Sequence, residues 1–191
     1  MIFKTADLCD EHEDLVQIAE PGLIPFGQRQ RFYGEIVTLK LFEDNSLVRE
    51  AVATDGQGKV LVVDGGGSLR CALLGDLLAA KAVANHWSGM IINGCIRDSA
   101  DIDEMDIGVR AITTCPLKSI KKGVGEKDIP VRFLGVSFQP GEYVYVDEDE
   151  LLVFTGDGAR RIMKLADLTG APLTPAQTGL TPGGFRRANP R

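Results

Sequence analysis

The hydrophobic and polar positions of this 191-residue chain predict alternating helices and strands at first, and mostly strands later. Residues 59–67 form a β-branched run that ends in three glycines, which predicts a buried strand followed by a tight turn. Residues 75–87 are apolar almost all round a helical wheel and predict a buried helix. Other apolar or alternating runs predict strands at 34–42, 89–95, 109–114, 131–138 and 142–154. The last of these contains a predicted hairpin turn at 147–149. Helical spacing of apolar residues predicts helices at 5–19, 46–53 and 157–168. This pattern favours a mixed α/β sandwich with helices packed outside the sheets.

The charge distribution divides the chain near residue 155 into an acidic body and a basic tail. Residues 156–191 carry six Lys or Arg and two Asp, a net charge of +4. Since the whole chain carries −6, residues 1–155 carry −10, and direct nucleic-acid binding is not expected. We expect one catalytic or regulatory domain over 1–155. The extension over 156–191 is expected to be partly flexible, and either to stay solvated or to contact the body, a neighbouring subunit or RNA.

The N-terminus and the cysteines indicate a cytoplasmic protein. The first fifteen residues are acidic and lack the apolar core of a secretion signal, and no run of 18 apolar residues predicts a membrane span. The four cysteines form no CxxC pair, which argues against a zinc ribbon or thioredoxin-like chemistry. The two histidines, His12 and His86, are too few for a histidine-rich zinc or iron site within one subunit.

The glycine-rich segment 62–70, VVDGGGSLR, differs from known nucleotide-binding loops. A dinucleotide loop would need glycine where Arg70 stands, and the one Gly-Lys pair, Gly58–Lys59, has Ala53 at the position of the first Walker glycine. The same missing pattern disfavours an S-adenosylmethionine site and hence a methyltransferase. We expect Gly65–Gly67 to form a tight turn whose backbone approaches another element or a ligand.

Residues 75–98 bring acidic and basic side chains to one edge of the predicted fold. Only Trp87–Gly89 connect the helix 76–86 to the strand 90–95, so the strand runs back antiparallel to the helix. The helix is about 15 Å long and the strand about 20 Å, at about 1.5 and 3.3 Å per residue. The helix start and the strand end therefore meet, and the spacing predicts a cluster of Asp76, Arg97 and Asp98.

This cluster has the chemistry of a site for an anion and a hard cation. Backbone N–H groups at the helix start, such as those of Leu77 and Leu78, lack intrahelical partners and favour a carboxylate. Arg97 can bind the same carboxylate through its guanidinium fork. Asp98 can bind Mg²⁺ or Mn²⁺, which prefer oxygen ligands, and Asp101 is a possible additional or water-mediated ligand.

Each of these residues also has an ordinary structural explanation. Asp76 alone is typical of the first turn of a helix, and Arg97–Asp98 alone is typical of a surface ion pair. The acidic run 101–106 is typical of a solvated surface. Only their convergence at one glycine-flanked helix start favours a site.

Six segments of the body carry a family resemblance. They are ADLCD (6–10), EPGLIPFGQ (20–28), FEDNSLV (42–48), GKVLVVDGGGSLRCALLGDLLA (58–79), GMIINGCIRD (89–98) and DIGVRAI (106–112). Together they resemble the family of "regulator of ribonuclease activity A", which is related to the class II 4-hydroxy-4-methyl-2-oxoglutarate/4-carboxy-4-hydroxy-2-oxoadipate aldolases. The resemblance covers about residues 1–155 and does not extend to the tail. It implies a β/β/α sandwich of the swivelling-domain type, assembled as a homotrimer or a dimer of trimers with sites near subunit interfaces.

The lyase members of that family have an Asp or Gly twenty residues before an Arg-Asp pair, often with an acid three residues beyond. This chain has Asp76, Arg97–Asp98 and Asp101 at that spacing. The resemblance implies that Asp98 binds a divalent cation directly, Asp76 binds it through water, and Arg97 holds the pyruvyl group. It also implies a substrate carboxylate enclosed by Gly75, Asp76, Leu77 and Leu78.

Two main functions follow from the resemblance. One is a metal-dependent lyase that acts as a 4-hydroxy-4-methyl-2-oxoglutarate aldolase giving pyruvate, and decarboxylates oxaloacetate through the same enolate. The aldol reaction needs a base for the C4 hydroxyl proton, for which a water held by Asp76 is one option. The other is a non-enzymatic inhibitor that binds ribonuclease E, since the acidic body suits a basic partner segment. A plain scaffold oligomer is a third possibility.

Overall fold

A ten-stranded mixed sheet organises the computed structural model, which describes residues 3–156. The strands are β1 (Val16–Ile18), β2 (Ile24–Phe26), β3 (Phe32–Lys40), β4 (Val60–Asp64), β5 (Ala72–Leu74), β6 (Gly89–Ile96), β7 (Gly108–Thr114), β8 (Glu126–Lys127), β9 (Val131–Phe133), β10 (Val136–Phe138), β11 (Tyr143–Val146) and β12 (Leu151–Phe154). The helices are α1 (Thr5–His12), α2 (Ser46–Ala51), α3 (Asp76–Ala84) and α4 (Ser99–Asp103), and Glu13–Leu15 form a 3₁₀ turn.

Four parallel strands form the centre of the large sheet. The order is β1-β12-β11-β3-β4-β6-β7-β2, with β5 pairing β6 and β8 pairing β3, while β9 and β10 form a separate antiparallel pair. Strands β3, β4, β6 and β7 run parallel to one another. Their carboxyl ends therefore share one edge, which is where open α/β sheets usually bind ligands.

The central strands bury both faces because a different layer covers each. Leu61 and Val63 of β4 belong to the core that includes α2, α3 and α4. Val60 and Val62 belong to the core beneath the β9–β10 pair and the β11–β12 hairpin. Successive side chains of a strand point to opposite faces, so one β-branched run serves both cores. Each fully buried aliphatic side chain contributes about 1.5–3 kcal/mol to the stability of the fold. The two cores on opposite faces of the sheet confirm the implied β/β/α sandwich.

The predicted elements are mostly confirmed, with two corrections. The predicted helix 5–19 is too long, because α1 ends at His12 and Val16–Ile18 pair with β12. The predicted strand 131–138 is two strands joined by a turn at Leu134–Gly135, where Gly135 has a φ of 73°. The hairpin turn at 147–149 is confirmed by the antiparallel pairing of β11 with β12.

Four short elements are found that the sequence pattern did not predict, namely β2, β5, β8 and α4. The predicted helix 157–168 and most of the predicted tail lie outside the described residues. Within residues 3–156, no helix is long and apolar enough to span a membrane.

Candidate active site

The start of α3 lies against the end of β6, as the chain lengths predict. The Arg97 N–H donates a hydrogen bond to the Leu74 carbonyl oxygen, with an N···O distance of 2.9 Å. Gly75, directly after Leu74, has extended backbone and precedes α3 as its N-cap. The segment at Leu74–Gly75, directly before Asp76, therefore lies against Arg97, and the cluster of Asp76 with Arg97 and Asp98 stays a prediction for the Asp76 side chain.

Gly75 permits this close approach because it lacks a side chain. A Cβ atom at Gly75 would lie 2.9 Å from Asp98 Oδ2 and 3.1 Å from Arg97 Nε. The first distance is shorter than real Cβ contacts allow, so any larger residue would displace the charged pair. Asp76, the next residue along the chain and the first of α3, is half-buried.

Arg97 and Asp98 form an ion pair at the mouth of the site. Arg97 Nε lies 3.2 Å from Asp98 Oδ2, and the side chains are 37% and 35% exposed. The Asp98 backbone is left-handed, with φ 54° and ψ 41°, and the residue precedes α4 without using its carboxylate as a helix cap. Left-handed backbone disfavours residues other than Gly, Asn and Asp. The turn at Asp98 thus leaves its carboxylate beside Arg97 and in reach of solvent.

A depression of about 330 Å³ opens next to this ion pair. The residues that line it come from the end of β6, from α4 and from the end of β7: Arg97, Asp98, Ser99, Ala100, Asp101, Thr114, Cys115 and Pro116. Asp101 therefore shares one surface with Asp98, as the spacing suggested. The sequence pattern did not identify the wall at 114–116. What places this wall is the register of the parallel strands β6 and β7, in which Ile96 pairs with Thr114. That register cannot be read from either segment alone.

The start of α3 differs in one respect from the expectation. The Leu78 N–H donates to the Gly75 carbonyl oxygen at 3.1 Å, so its predicted lack of an intrahelical partner is wrong. The tight first turn satisfies this group through an i→i−3 bond, as helix ends commonly do. Leu77 is 74% exposed, Leu78 packs partly against the core, and no side chain caps the helix.

The four acids of the run 101–106 are all exposed, as expected of a solvated surface, and two of them also bind the segment after β2. Asp103 accepts a hydrogen bond from the Gly27 N–H at 2.8 Å. Asp106 accepts two from the Arg29 guanidinium, at 2.9 and 2.8 Å, and this contact lowers the pKa of the Asp106 carboxyl. These two exposed acids hold the segment after β2.

The glycine-rich segment forms the predicted tight turn. The N–H groups of Gly65 and Gly67 both donate to the Asn93 carbonyl oxygen at 3.1 Å. Asp64 accepts from the Gly66 N–H and from the Asn93 side-chain amide. The backbone of this turn packs against β6, which gives the glycines a structural role.

The donor groups at the site suit a hard cation better than a soft one. Within residues 3–156, no three His, Cys, Asp or Glu side chains form a group that could hold a metal by themselves. Mg²⁺ commonly binds one or two protein carboxylates and takes its other oxygen ligands from water and substrate. The carboxylate of Asp98, whose Oδ2 atom would lie 2.9 Å from a Cβ at Gly75, fits that chemistry. Both histidines are used elsewhere, since His12 packs on Phe154 and His86 pairs with Asp55.

A family model described as RraA-like, Aldolase/RraA, matches residues 5–153. The chain belongs to the RraA-like family. A relative from Dechloromonas aromatica is 59% identical over 157 residues, which cover 80% of this chain and 96% of that protein. Another, from Pseudomonas syringae pv. tomato, is 56% identical over 153 residues, covering 80% of this chain and 94% of that protein. Both carry the provisional name 4-hydroxy-4-methyl-2-oxoglutarate aldolase.

Solved structures of similar proteins carry other names. A protein from Geobacillus kaustophilus HTA426, described as S-adenosylmethionine:2-dimethylmenaquinone methyltransferase, superposes with a TM-score of 0.79 at 52% identity, covering 81% of this chain and 96% of that one. The RNA-processing inhibitor RraA from Thermus thermophilus gives a TM-score of 0.78 at 44% identity, covering 81% and 93%. This RraA-like chain thus shares its fold with proteins named for three different activities.

Proposed function

We propose that this RraA-like protein is a divalent-metal-dependent lyase that cleaves a C–C bond in 2-oxo acids to give pyruvate. The observation that carries the proposal is the contact of Gly75 with the Arg97–Asp98 pair at the carboxyl edge of the parallel strands. The names of the Dechloromonas and Pseudomonas relatives support the same reaction class.

The proposed substrates share one product-forming step. Aldol cleavage of 4-hydroxy-4-methyl-2-oxoglutarate gives two molecules of pyruvate, one of them first as its enolate. Loss of CO₂ from oxaloacetate leaves the same enolate. A site that stabilises this anion therefore serves both reactions.

The metal is part of the proposal. Asp98 would hold Mg²⁺ or Mn²⁺ directly and Asp76 through a water molecule, with Asp101 as a further acid. Such a cation, when bound, acts as a Lewis acid on the 2-oxo group.

The chain's own residues bind and orient the substrate. Arg97 offers a planar fork of donors to the pyruvyl carboxylate and favours the negative charge that develops on the enolate. The start of α3, at Gly75–Leu77, adds the positive end of the helix dipole beside the same carboxylate. In the aldol reaction, a water held by Asp76 would take the C4 hydroxyl proton, a step that oxaloacetate decarboxylation does not need.

The decisive variant is Asp98→Asn, since Asn tolerates the left-handed backbone of residue 98 and keeps the side-chain shape. We expect pyruvate formation from oxaloacetate with Mg²⁺ to fall about 100-fold or more, measured by coupling to lactate dehydrogenase with and without EDTA. Glu104→Gln, an exposed acid outside the depression, serves as the matched control and should keep its turnover. Full chelator-sensitive turnover by Asp98→Asn would show that Asp98 is not the metal ligand.

The Thermus neighbour, described as an RNA-processing inhibitor, favours a second candidate function. We propose that the acidic surface of the body also binds a basic segment of ribonuclease E. Cleavage of a labelled RNA by purified ribonuclease E should slow when this protein is added, and Asp98→Asn should inhibit equally well. No effect on cleavage at micromolar protein would exclude this role.

The assembly is likewise a proposal. Leu69, Leu77 and Leu117 are all more than half exposed, and each lies in a segment at the carboxyl edge of the sheet. Exposed apolar side chains grouped in this way favour a subunit contact, so a homotrimer or a dimer of trimers is expected. Light scattering coupled to gel filtration should give a mass of three or six chains, and a monomer would contradict it.

A further inference from the structure

Cys115 is the thiol that lines the depression beside the proposed substrate-binding arginine, Arg97. It follows β7 directly, and its N–H donates to the Ile96 carbonyl oxygen at 2.8 Å. Ile96 immediately precedes Arg97, so the ends of two parallel strands set Cys115 beside the arginine. Cys115 is half-buried and lines the depression of about 330 Å³ together with Arg97 and Asp98.

The other three thiols differ from Cys115 in burial or in place. Cys71 is 6% exposed and Cys95 is fully buried, and burial raises the pKa of both thiols. Cys9 is half-buried like Cys115 but belongs to α1, which packs against the β11–β12 hairpin at the other end of the sheet. Burial and the carboxylate of Asp10 raise the pKa of Cys9. Cys9 is therefore a natural internal control.

We propose that Cys115 is a specificity-determining residue of the oxo-acid site, and that its side chain borders the part of the depression beside Arg97 into which the substrate extends. The inference rests on the proposed lyase function. With the pyruvyl carboxylate on Arg97, the rest of a small substrate extends into the depression, whose lining includes the neighbouring Thr114, Cys115 and Pro116. A thiol behaves there as a small apolar group and leaves room for the methyl substituent at C4.

This placement predicts reaction with an electrophilic substrate mimic. In 3-bromopyruvate, the oxo-acid end resembles the substrate and C3 carries a leaving group. The Cys115 thiolate forms an S–C bond to C3 while the C–Br bond breaks, bromide leaves, and the thiol proton passes to solvent. The product is a stable thioether that carries one pyruvyl group.

The experiment treats the full chain with limiting 3-bromopyruvate and maps the modified peptides by mass spectrometry. We expect Cys115 to react about ten-fold or more faster than Cys9, and pyruvate with Mg²⁺ to protect Cys115 but not Cys9. Cys115→Ser should lose the label at this peptide, while Cys9→Ser should keep both the label at Cys115 and oxaloacetate turnover.

A second measurement tests specificity through substrate size. Cys115→Leu should lower kcat/KM for 4-hydroxy-4-methyl-2-oxoglutarate about ten-fold more than for oxaloacetate, since one or two added methylenes in a pocket change discrimination by that order. A purely structural role for Cys115 would lower both values in the same proportion.

The outcomes separate this inference from the proposed function. If wild-type protein decarboxylates oxaloacetate but Cys115 is neither labelled preferentially nor protected, the role of Cys115 is wrong and the lyase stands. Equal loss of both substrates in Cys115→Leu has the same meaning. If there is no turnover and no protection by pyruvate with Mg²⁺, both proposals fail.

Discussion

At the scale of single residues, the site depends on Gly75, which has no Cβ atom. A methyl group attached to the Gly75 Cα would lie 2.9 Å from the Asp98 carboxylate oxygen Oδ2. A charged pair at a protein surface contributes little stability by itself. The arrangement therefore serves the position of the two charges more than the stability of the fold.

Arg97→Lys tests whether the planar fork of the guanidinium matters. We expect oxaloacetate turnover to fall about 100-fold, because an ammonium group cannot make two parallel hydrogen bonds to a carboxylate. Arg29→Lys is the matched control, since Arg29 pairs with Asp106 outside the depression and should keep full turnover. Unimpaired kcat and KM in Arg97→Lys would exclude Arg97 as the substrate-binding residue.

At the scale of elements, local geometry explains what could be predicted from sequence. Because the connection between α3 and β6 is short, the lengths of the helix and the strand were enough to predict that the start of α3 lies near Arg97. The wall at Thr114–Pro116 could not be derived in this way, because it needs the parallel pairing of β6 with β7. Such pairings join residues far apart in the chain.

Two errors have different origins. Val16 and Ile18 suit the apolar face of a longer α1 as well as a strand, and their antiparallel pairing with β12 decides for the strand. The apolar run 131–138 continues across the turn at Leu134–Gly135, which the strand period does not reveal. In the first case a long-range contact outweighs local preference. In the second case a tight turn lets neighbouring residues of the run pair with each other.

Gly108→Ala tests how closely β6 and β7 pack on Phe32. A Cβ at Gly108 would lie 2.0 Å from Phe32 Cδ1, and the Phe32 ring is almost fully buried. We expect a loss of about 1–3 kcal/mol in the free energy of unfolding from overpacking, measured by urea denaturation.

Gly22→Ala provides the control for this substitution. Its Cβ would meet only the end of the Leu134 side chain, at 3.0 Å, so a change within about 0.5 kcal/mol is expected. The double variant Gly108→Ala/Phe32→Leu should recover part of the stability through a smaller side chain at residue 32. Equal stability of Gly108→Ala and wild type would show that this packing is looser than described.

At the scale of the whole molecule, buried carboxylates link distant segments. Asp44 is 3% exposed and accepts hydrogen bonds from the N–H groups of Ser46, Lys122 and Val124. Burial raises the pKa of Asp44, but these hydrogen bonds outweigh it and lower the pKa to about 2. The carboxylate thus holds the segment after β7 against the segment after β3.

This contact predicts a dependence of stability on acid. Because the folded pKa of Asp44 lies below its unfolded value, its contribution of about 2 kcal/mol is present above about pH 4 and is lost as pH falls toward 2. Asp44→Asn should be less stable at pH 7 and should lose less stability between pH 4 and 2, as measured by urea denaturation. Parallel curves for the two proteins would contradict the assignment.

The shared edge of the parallel strands has a consequence for how this scaffold diversifies. Side chains that follow β6 and β7 lie outside the buried core, so exchanges or insertions there alter what is recognised without disturbing that core. Proteins that share this fold can in this way acquire different functions. Grafting the segment after β7 from a relative is thus a direct route to altered substrate preference.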